Sequence, residues 1–478
     1  MSKRILIAIA VLIVSACLVL SLLAAAGVIA FLRIDSARTE VQTQPQPTAE
    51  LAPAPTAVPG QTAQPADPSA PAEGGEIPAD VLREMQQIEE QTEEHRGLTF
   101  SGELKRSLLT PDQLRQRVMD DFLEEYTPED MDHDQQVLSI FGLLPRDYDI
   151  KTLYTDLYSE QIAGFYDDET NEMVVVQGTG FDGPERATYA HEYTHALQDE
   201  AYDLTNGLKT DEETCRKDSE YCAAVQSLIE GDATLSEQLW LLYSASAEDR
   251  SQLDEFYSTY ESPVYDSAPE FLQQDFTFPY DKGVYFVLEF YQKGGYAAVD
   301  RLYQNPPVST EQILHPERYP DDKPVKIELP DYSAALGADW EEIDRNTVGE
   351  WYTYLILAYG DRPETRLDED DALRASEGWG GDSYVVYSGP QPEETALVYV
   401  SQWDSKADAR DFWLSFQQYA RLRWGNPDAS TEDALSWAST PDGAVLLRRN
   451  ADGQVLWVIA PDAAAVNQLS AQTPGFGQ

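Results

Sequence analysis

The sequence predicts an α+β protein with a mainly helical first domain, residues 79–338, and a smaller α+β second domain, residues 339–478. In the first domain, apolar residues recur at helical spacing, and two short apolar runs flank a turn at 167–171. From residue 384 onward, short apolar runs and turn residues are combined with longer helical patterns. About 400 residues exceed what one core usually supports, so we expect two domains.

Local signals place the individual elements. Pro111 after Thr110 favours a helix start, and Asp442-Gly443 and Asp452-Gly453 favour turns between strands. Helices are predicted at 78–95, 110–122, 135–143, 150–158, 187–199, 225–242, 247–260, 269–276, 282–293, 296–303, 340–359, 405–423 and 462–469. Strands are predicted at 104–109, 161–166, 172–177, 384–387, 396–402, 434–438, 444–449 and 455–460.

The N-terminus predicts a membrane anchor at residues 1–38. The apolar run at 5–32 is long enough to cross a bilayer, and Lys3, Arg4 and Arg33 flank it. A cleaved signal peptide usually has a shorter apolar core. A second hypothesis is lipidation at Cys17, because the residues that end at Cys17 loosely resemble a lipoprotein cleavage site. Because basic residues flank both ends of the apolar run, their charge predicts the orientation of the anchor in the membrane only weakly.

The remaining sequence indicates a linker after the anchor and a strongly acidic chain overall. Residues 39–78 are rich in Pro, Ala, Gln and Thr, which predicts a disordered tether. The chain has 33 basic and 85 acidic residues, a formal net charge of −52. Such a charge excludes nucleic-acid binding as a main role, because nothing would neutralise the phosphates. Solubility is the simplest reason for the acidity, and a saline environment or a preference for basic substrates are the alternatives.

The segment His191-Glu192-Tyr193-Thr194-His195 uses two of the five histidines. Imidazoles four residues apart lie on the same side of a helix, which suits two ligands of one Zn²⁺ ion. Glu192 suits a general base for a zinc-bound water. Asp199, a further turn along, is a candidate acceptor for an imidazole N–H. The alternative is a chance match on an ordinary amphipathic helix.

Glu230 is the candidate third ligand. It lies in an apolar helical run, where an unpaired carboxylate is unfavourable unless a cation accompanies it. Gly231 beside it has no side chain, so another backbone or a metal can approach closely. The alternative places Glu230 at the solvent edge of its helix.

These residues resemble the gluzincin group of zinc metallopeptidases. More closely, the chain resembles a bacterial family of uncharacterised, envelope-anchored putative metallopeptidases. The resemblance rests on Gly164-Phe165-Tyr166-Asp167, the His191–His195 motif and Glu230-Gly231-Asp232-Ala233, with weaker matches at 309–316 and 378–382. It implies a zincin-like fold in which His191, His195 and Glu230 hold zinc. Gluzincins often carry an aspartate four residues after the ligand glutamate, but Thr234 stands there, which leaves Asp232 as the nearest acid.

Three further residues have candidate roles. Cys215 and Cys222 lie in a polar loop and are predicted to form a disulfide in an oxidising compartment, with free thiols or metal ligation as alternatives. His315 either stabilises an oxyanion or is a packing or capping residue. The edge of the predicted hairpin either pairs with an extended substrate or is an ordinary sheet strand.

Taken together, the sequence predicts a membrane-anchored zinc metallopeptidase. It would hydrolyse peptide bonds of extracytoplasmic proteins or peptides, with its N-terminus inside the cell. Its partners would be a peptide or protein substrate and the membrane, and the oligomeric state stays open. A zinc hydrolase of other amides or esters is a competing enzyme hypothesis. The alternative from another class is a catalytically idle envelope protein that acts as a binding or scaffold module.

Overall fold

The computed structural model describes residues 77–477, apart from 126, 162, 177–179 and 392–393. It confirms a mixed α+β protein with a helical region and two separate sheets. The predicted membrane anchor and nearly all of the predicted linker lie outside the described residues. Within the described part, no helix has the length and apolar character needed to cross a membrane.

The helices and strands are numbered here in chain order. The helices are α1 Ala79–Arg96, α2 Pro111–Glu125, α3 Pro128–Phe141, α4 Ile150–Gln161, α5 Gly183–Tyr202, α6 Glu212–Lys217, α7 Ser219–Tyr243, α8 Ala247–Thr259, α9 Pro263–Ser267, α10 Glu270–Gly294, α11 Tyr296–Gln304, α12 Thr310–Leu314, α13 Ser333–Leu336, α14 Gly349–Ala358, α15 Glu369–Ser376, α16 Lys406–Trp424 and α17 Ala463–Gln472. The strands are β1 Lys105–Leu109, β2 Gly164–Asp167, β3 Glu172–Val176, β4 Glu341–Asn346, β5 Trp379–Ser388, β6 Thr395–Trp403, β7 Ala429–Ser430, β8 Ala434–Thr440, β9 Gly443–Arg449 and β10 Val455–Ala460.

The two sheets differ in size and pairing. The smaller has the order β1-β3-β2, with β1 parallel and β2 antiparallel to β3. The larger is antiparallel, in the order β4-β5-β6-β10-β9-β8-β7. In the smaller sheet β2 is an edge strand, and it packs beside α5.

The structure differs from the predicted elements in two places. Residues 341–346 form strand β4 on the edge of the larger sheet, not the start of a helix at 340–359. The predicted helices 269–276 and 282–293 are one continuous helix, α10, with Pro279 inside it. An interior proline removes one backbone hydrogen bond and costs about 3 kcal/mol. Burial of α10 along much of its length offsets that loss.

One apolar core crosses the predicted domain boundary at 338/339. The largest cluster of buried apolar side chains includes Leu228 and Phe286 as well as Trp413 and Trp457. Arg423 in α16 also donates to the carbonyl oxygens at the end of α3, at distances of 2.9 Å. The two parts of the chain are therefore packed against each other.

The weaker motifs at 309–316 and 378–382 lie at the junction where the two parts of the chain pack against each other. Glu220, near the start of α7, accepts hydrogen bonds from the backbone N–H and the hydroxyl of Thr310, at 2.6 and 2.7 Å. Asp382 accepts the backbone N–H groups of Val348 and Gly349 and thereby caps α14. These motif residues have a structural role, because they connect α7, α12, α14 and β5.

Two buried carboxyl groups at the junction predict a dependence of stability on pH. Burial raises the pKa of Glu220 from 4.5 to about 8, although hydrogen bonds from Thr310 lower it. Burial and the neighbouring Glu350 raise the pKa of Glu311 to about 9. Both groups keep a proton in the folded protein that the unfolded chain releases. Their stabilising effect is complete below pH 4.5 and is lost as the pH rises through 8 to 9.

We therefore expect the thermal midpoint of unfolding to fall as the pH rises from about 5 to about 9. Growing negative charge acts in the same direction, so the test needs a variant. Glu220→Gln keeps an acceptor for Thr310 and cannot titrate. Calorimetry across this range should give a smaller slope for the variant. Equal slopes would show that Glu220 is ionised in the folded protein.

Candidate metal centre

Two helices bring the three predicted ligands together. His191 and His195 lie one turn apart on α5, and Glu230 lies in the middle of α7. The Glu230 Oε2 atom is 3.3 Å from Nε2 of His191 and 3.4 Å from Nε2 of His195. The three ligand atoms all lie within 4.8 Å of one another, as a shared metal ion requires.

The donor set fits zinc. Two imidazole nitrogens and one carboxylate oxygen form a common catalytic zinc set that leaves a fourth position open. With bonds of about 2.0 to 2.1 Å, the ligand atoms of a tetrahedral zinc ion lie about 3.3 Å apart. The distances from Glu230 to the two imidazoles agree with that value. The structure thus supports a metal-binding group at the three predicted residues His191, His195 and Glu230, which together are called the metal group.

The approach of α10 to α7 explains Gly231. A side-chain carbon at Gly231 would lie 2.2 Å from the backbone of Gly283 in α10, and one at Gly283 would lie 2.1 Å from the Ser227 carbonyl oxygen. The glycine therefore makes room for another backbone, which was one of its two predicted uses. The same helix α10 places the Tyr280 ring on His191, with ring centres 6.2 Å apart.

The outer nitrogens of the two imidazoles have different partners. Nδ1 of His191 lies 3.2 Å from Oε2 of Glu237, and Nδ1 of His195 lies 2.9 Å from Oε1 of Gln198. The prediction that Asp199 fills this role is wrong. Asp199 instead accepts hydrogen bonds from the Tyr166 hydroxyl, at 3.3 Å, and from the backbone N–H of Leu204, at 3.1 Å.

Asp232, the other predicted supporting acid, contacts Gln198, a partner of a ligand, and not a ligand itself. It accepts a hydrogen bond from Nε2 of Gln198 at 3.0 Å and one from the Tyr303 hydroxyl at 2.8 Å. It also pairs with the fully buried guanidinium of Arg96, at 3.0 Å. In the described part of the chain, Asp232 therefore reaches His195 through Gln198.

Glu192 lies beside the ligands on α5 and is itself buried. Its Oε2 accepts the backbone N–H of Tyr166 in β2, at 3.1 Å. The sheet edge therefore borders the metal group, although pairing of a substrate with that edge stays a prediction. Burial raises the pKa of Glu192, and the charges of His195 and His191 lower it less, so the net shift is upward.

The ligand side chains perturb one another strongly. Burial lowers the pKa of His191, but hydrogen bonds to Glu230 and Glu237 outweigh it and raise that pKa from 6.5 to about 10. The pKa of His195 shifts in the same direction: burial lowers it, but the charge and hydrogen bond of Glu230, together with the charge of Glu192, outweigh burial. Burial raises the pKa of Glu230, but the two imidazoles lower it to about 2. A metal cation would replace the imidazole protons, so its binding would release protons.

The cysteine prediction is confirmed. A disulfide joins Cys215 and Cys222, which are 7 residues apart, with 5.5 Å between their Cα atoms. It connects the short helix α6 to the first turn of α7, the helix that carries Glu230. The bridge thus constrains the segment between the two ligand-bearing helices.

His315 lies in another side-chain cluster. Its Nε2 is 2.8 Å from Oε1 of Glu350, and Glu317 is 4.0 Å from its Nδ1. Among the described residues, no contact joins His315 to the metal group, so its predicted catalytic role has no support in the geometry. A nearby carboxylate group, Glu311, Asp322 and Asp404, also has metal-like spacing. The Arg318 guanidinium already lies within 3.5 Å of all three, so a cation is present there.

Sequence reasoning missed Glu237, Gln198 and Arg96. A weak signal existed for two of them: Glu237 follows Glu230 by two helical turns, and Gln198 lies three residues after His195. Arg96 had no such signal, because it is distant in the sequence and reaches the site only through the packing of α1.

Comparison with known proteins bears on the C-terminal part alone. Residues 337–470 match the model of a family described as a domain of unknown function, DUF8575. That segment includes the larger sheet and excludes the metal group. No curated protein and no solved structure matches the chain.

Proposed function

We propose that this protein is a zinc-dependent metallopeptidase with a zincin-like fold of the gluzincin type. The observation that carries the proposal is the meeting of His191, His195 and Glu230, whose ligand atoms lie within 4.8 Å of one another, with Glu192 beside them. A purely structural zinc site needs no neighbouring carboxylate. The resemblance of the His191–His195 and Glu230–Ala233 motifs to gluzincins adds to the geometric argument.

The side chains have distinct tasks in this proposal. His191, His195 and Glu230 would hold the ion, which when bound polarises the scissile carbonyl and acidifies water. Glu192 would accept a proton from the attacking water and later deliver it to the leaving amine. The Tyr166 N–H bond holds the Glu192 carboxylate in one position, so little reorganisation precedes proton transfer.

The proposal includes a location outside the cytoplasm. The apolar run at 5–32 would anchor the chain in the membrane, and residues 39–78 would tether the folded part. A disulfide is typical of oxidising compartments, so the Cys215–Cys222 bridge supports an extracytoplasmic catalytic part.

Burial of the metal group favours a second candidate, an idle zincin-like protein that acts as a binding or scaffold module. The exposed side-chain fractions of His191, His195 and Glu230 are 3%, 11% and 1%. A polypeptide substrate must approach the ion, so hydrolysis would require access on the side of His195. A metal that only stabilises the fold would require no access.

Metal and activity measurements separate the two candidates. The purified folded part should contain one zinc per chain by elemental analysis and should cleave an unbiased peptide mixture. A chelator should stop cleavage, and added zinc should restore it. Zinc without cleavage of any peptide would contradict the peptidase and favour the idle candidate, and a protein without zinc would exclude the peptidase.

A further inference from the structure

Gln198 is a buried amide in contact with a predicted metal ligand. It lies on α5 and is fully shielded from solvent. Its Oε1 is 2.9 Å from Nδ1 of His195. Its Nε2 lies 3.0 Å from the backbone carbonyl oxygen of Ile229, 3.0 Å from Oδ2 of Asp232 and 2.9 Å from the hydroxyl of Tyr303.

These partners fix which end of the amide faces His195. The Ile229 carbonyl and the Asp232 carboxylate only accept hydrogen bonds, so they require the NH₂ end of Gln198. The oxygen end then faces His195 and can only accept. Nδ1 of His195 must therefore carry a hydrogen, so the neutral ring that binds a metal is the tautomer whose Nε2, 3.4 Å from Glu230, offers its lone pair to the ion.

Arg96 holds the far end of this chain of contacts. Its guanidinium is always charged, is fully buried, and lies 3.0 Å from Asp232 and 2.8 Å from Asp300. It also lies over the Tyr296 ring, 4.4 Å from the ring centre. The charge and position of Arg96 hold Asp232 in place as the acceptor for Gln198.

We propose that Gln198, held by Asp232 and Arg96, is a positioning residue that sets the tautomer and ring orientation of His195 for metal binding. The inference rests on the proposed zinc site. It also makes the two imidazoles unequal ligands. His191 has the anionic partner Glu237, which increases ligand basicity, whereas His195 has a neutral amide.

Two variants of Gln198 give opposite rankings for stability and for zinc affinity. Gln198→Met removes both ends of the amide at similar volume, so His195 loses its acceptor. Zinc affinity, measured by competition with a chelating dye, should fall about 10- to 100-fold. Gln198→Glu keeps an acceptor for His195 but places a second carboxylate beside Asp232. It should unfold at a lower temperature than Gln198→Met and yet bind zinc more tightly.

Gln91→Met is the matched control. Gln91 accepts a hydrogen bond from Trp240 at 2.9 Å, so this variant also loses a side-chain hydrogen bond, away from the metal group. Its zinc affinity should equal that of the wild type. With cobalt in place of zinc, the visible spectrum of saturated Gln198→Met should differ from the wild type, and that of Gln91→Met should not.

The outcomes separate this inference from the proposed function. If the wild type binds no zinc, the proposed function and the inference both fail. If the wild type binds zinc and Gln198→Met binds it equally well, the zinc site stands and the inference is overturned. The inference is also overturned if zinc affinity follows thermal stability across the variants, because Gln198 would then be only a structural residue.

Discussion

Glu192→Gln is expected to reduce peptide hydrolysis by about 10³-fold while zinc stays bound. The amide keeps the shape of the carboxylate and still offers an oxygen to the Tyr166 N–H, which is 3.1 Å away in the wild type. It cannot accept a proton from water. Because none of the three ligands changes, elemental analysis should still find one zinc per chain, and the loss should appear in kcat.

Glu185→Gln is the matched control for that variant. Glu185 lies in the first turn of the same helix, so the substitution makes the same Glu-to-Gln change in α5 at a distance from the ligands. The control should cleave peptides at the wild-type rate. A zinc-loaded Glu192→Gln protein with wild-type activity would rule out Glu192 as the base and require another proton acceptor.

The metal group could be predicted from the sequence because each part of it is local. The spacing of His191 and His195 places both on one side of a helix whatever the rest of the fold, and Glu230 was a carboxylate in an apolar helical run. The structure brings the three together, as the prediction required. The pairing of Cys215 with Cys222 was also local, within one short loop.

The partners of the ligands could not be predicted in the same way. On a helix with about 100° per residue, Gln198 and Asp199 lie on opposite sides of His195, about 60° and 40° away. Spacing alone does not say which of them contacts the imidazole. The choice depends on neighbours from other elements: Asp232 of α7 holds Gln198, and Tyr166 of β2 contacts Asp199.

Strand β4 is another feature that the sequence alone does not predict. Residues 341–346 are mostly charged or polar, and nothing in that pattern separates a helix from an edge strand. Pairing with β5 decides in favour of the strand, and α14 begins only at Gly349, which has a φ of 76°. Long-range pairing of this kind overrides local propensity.

Gly231→Ala is expected to destabilise the folded protein by about 3 kcal/mol and to reduce zinc binding with it. In an open helix, this substitution normally increases stability, because alanine is the better helix former by about 1 kcal/mol. Here the added carbon would lie 2.2 Å from the Gly283 backbone, which cannot rotate away as a side chain can. The helices α7 and α10 must separate, which displaces Glu230, the neighbouring residue, from the imidazoles of α5.

Gly294→Ala is the control, because it makes the same change near the end of α10. The nearest atom to the added carbon there is the Ala298 side chain, at 3.2 Å, which a small shift relieves. Denaturant unfolding should place this variant within about 1 kcal/mol of the wild type, and its zinc affinity should be unchanged. If Gly231→Ala instead matched the wild type in both measurements, α7 and α10 would not approach as closely as the structure has them. The contact of the Tyr280 ring with His191, at 6.2 Å between ring centres, would then need a cause other than the close crossing of α10 and α7.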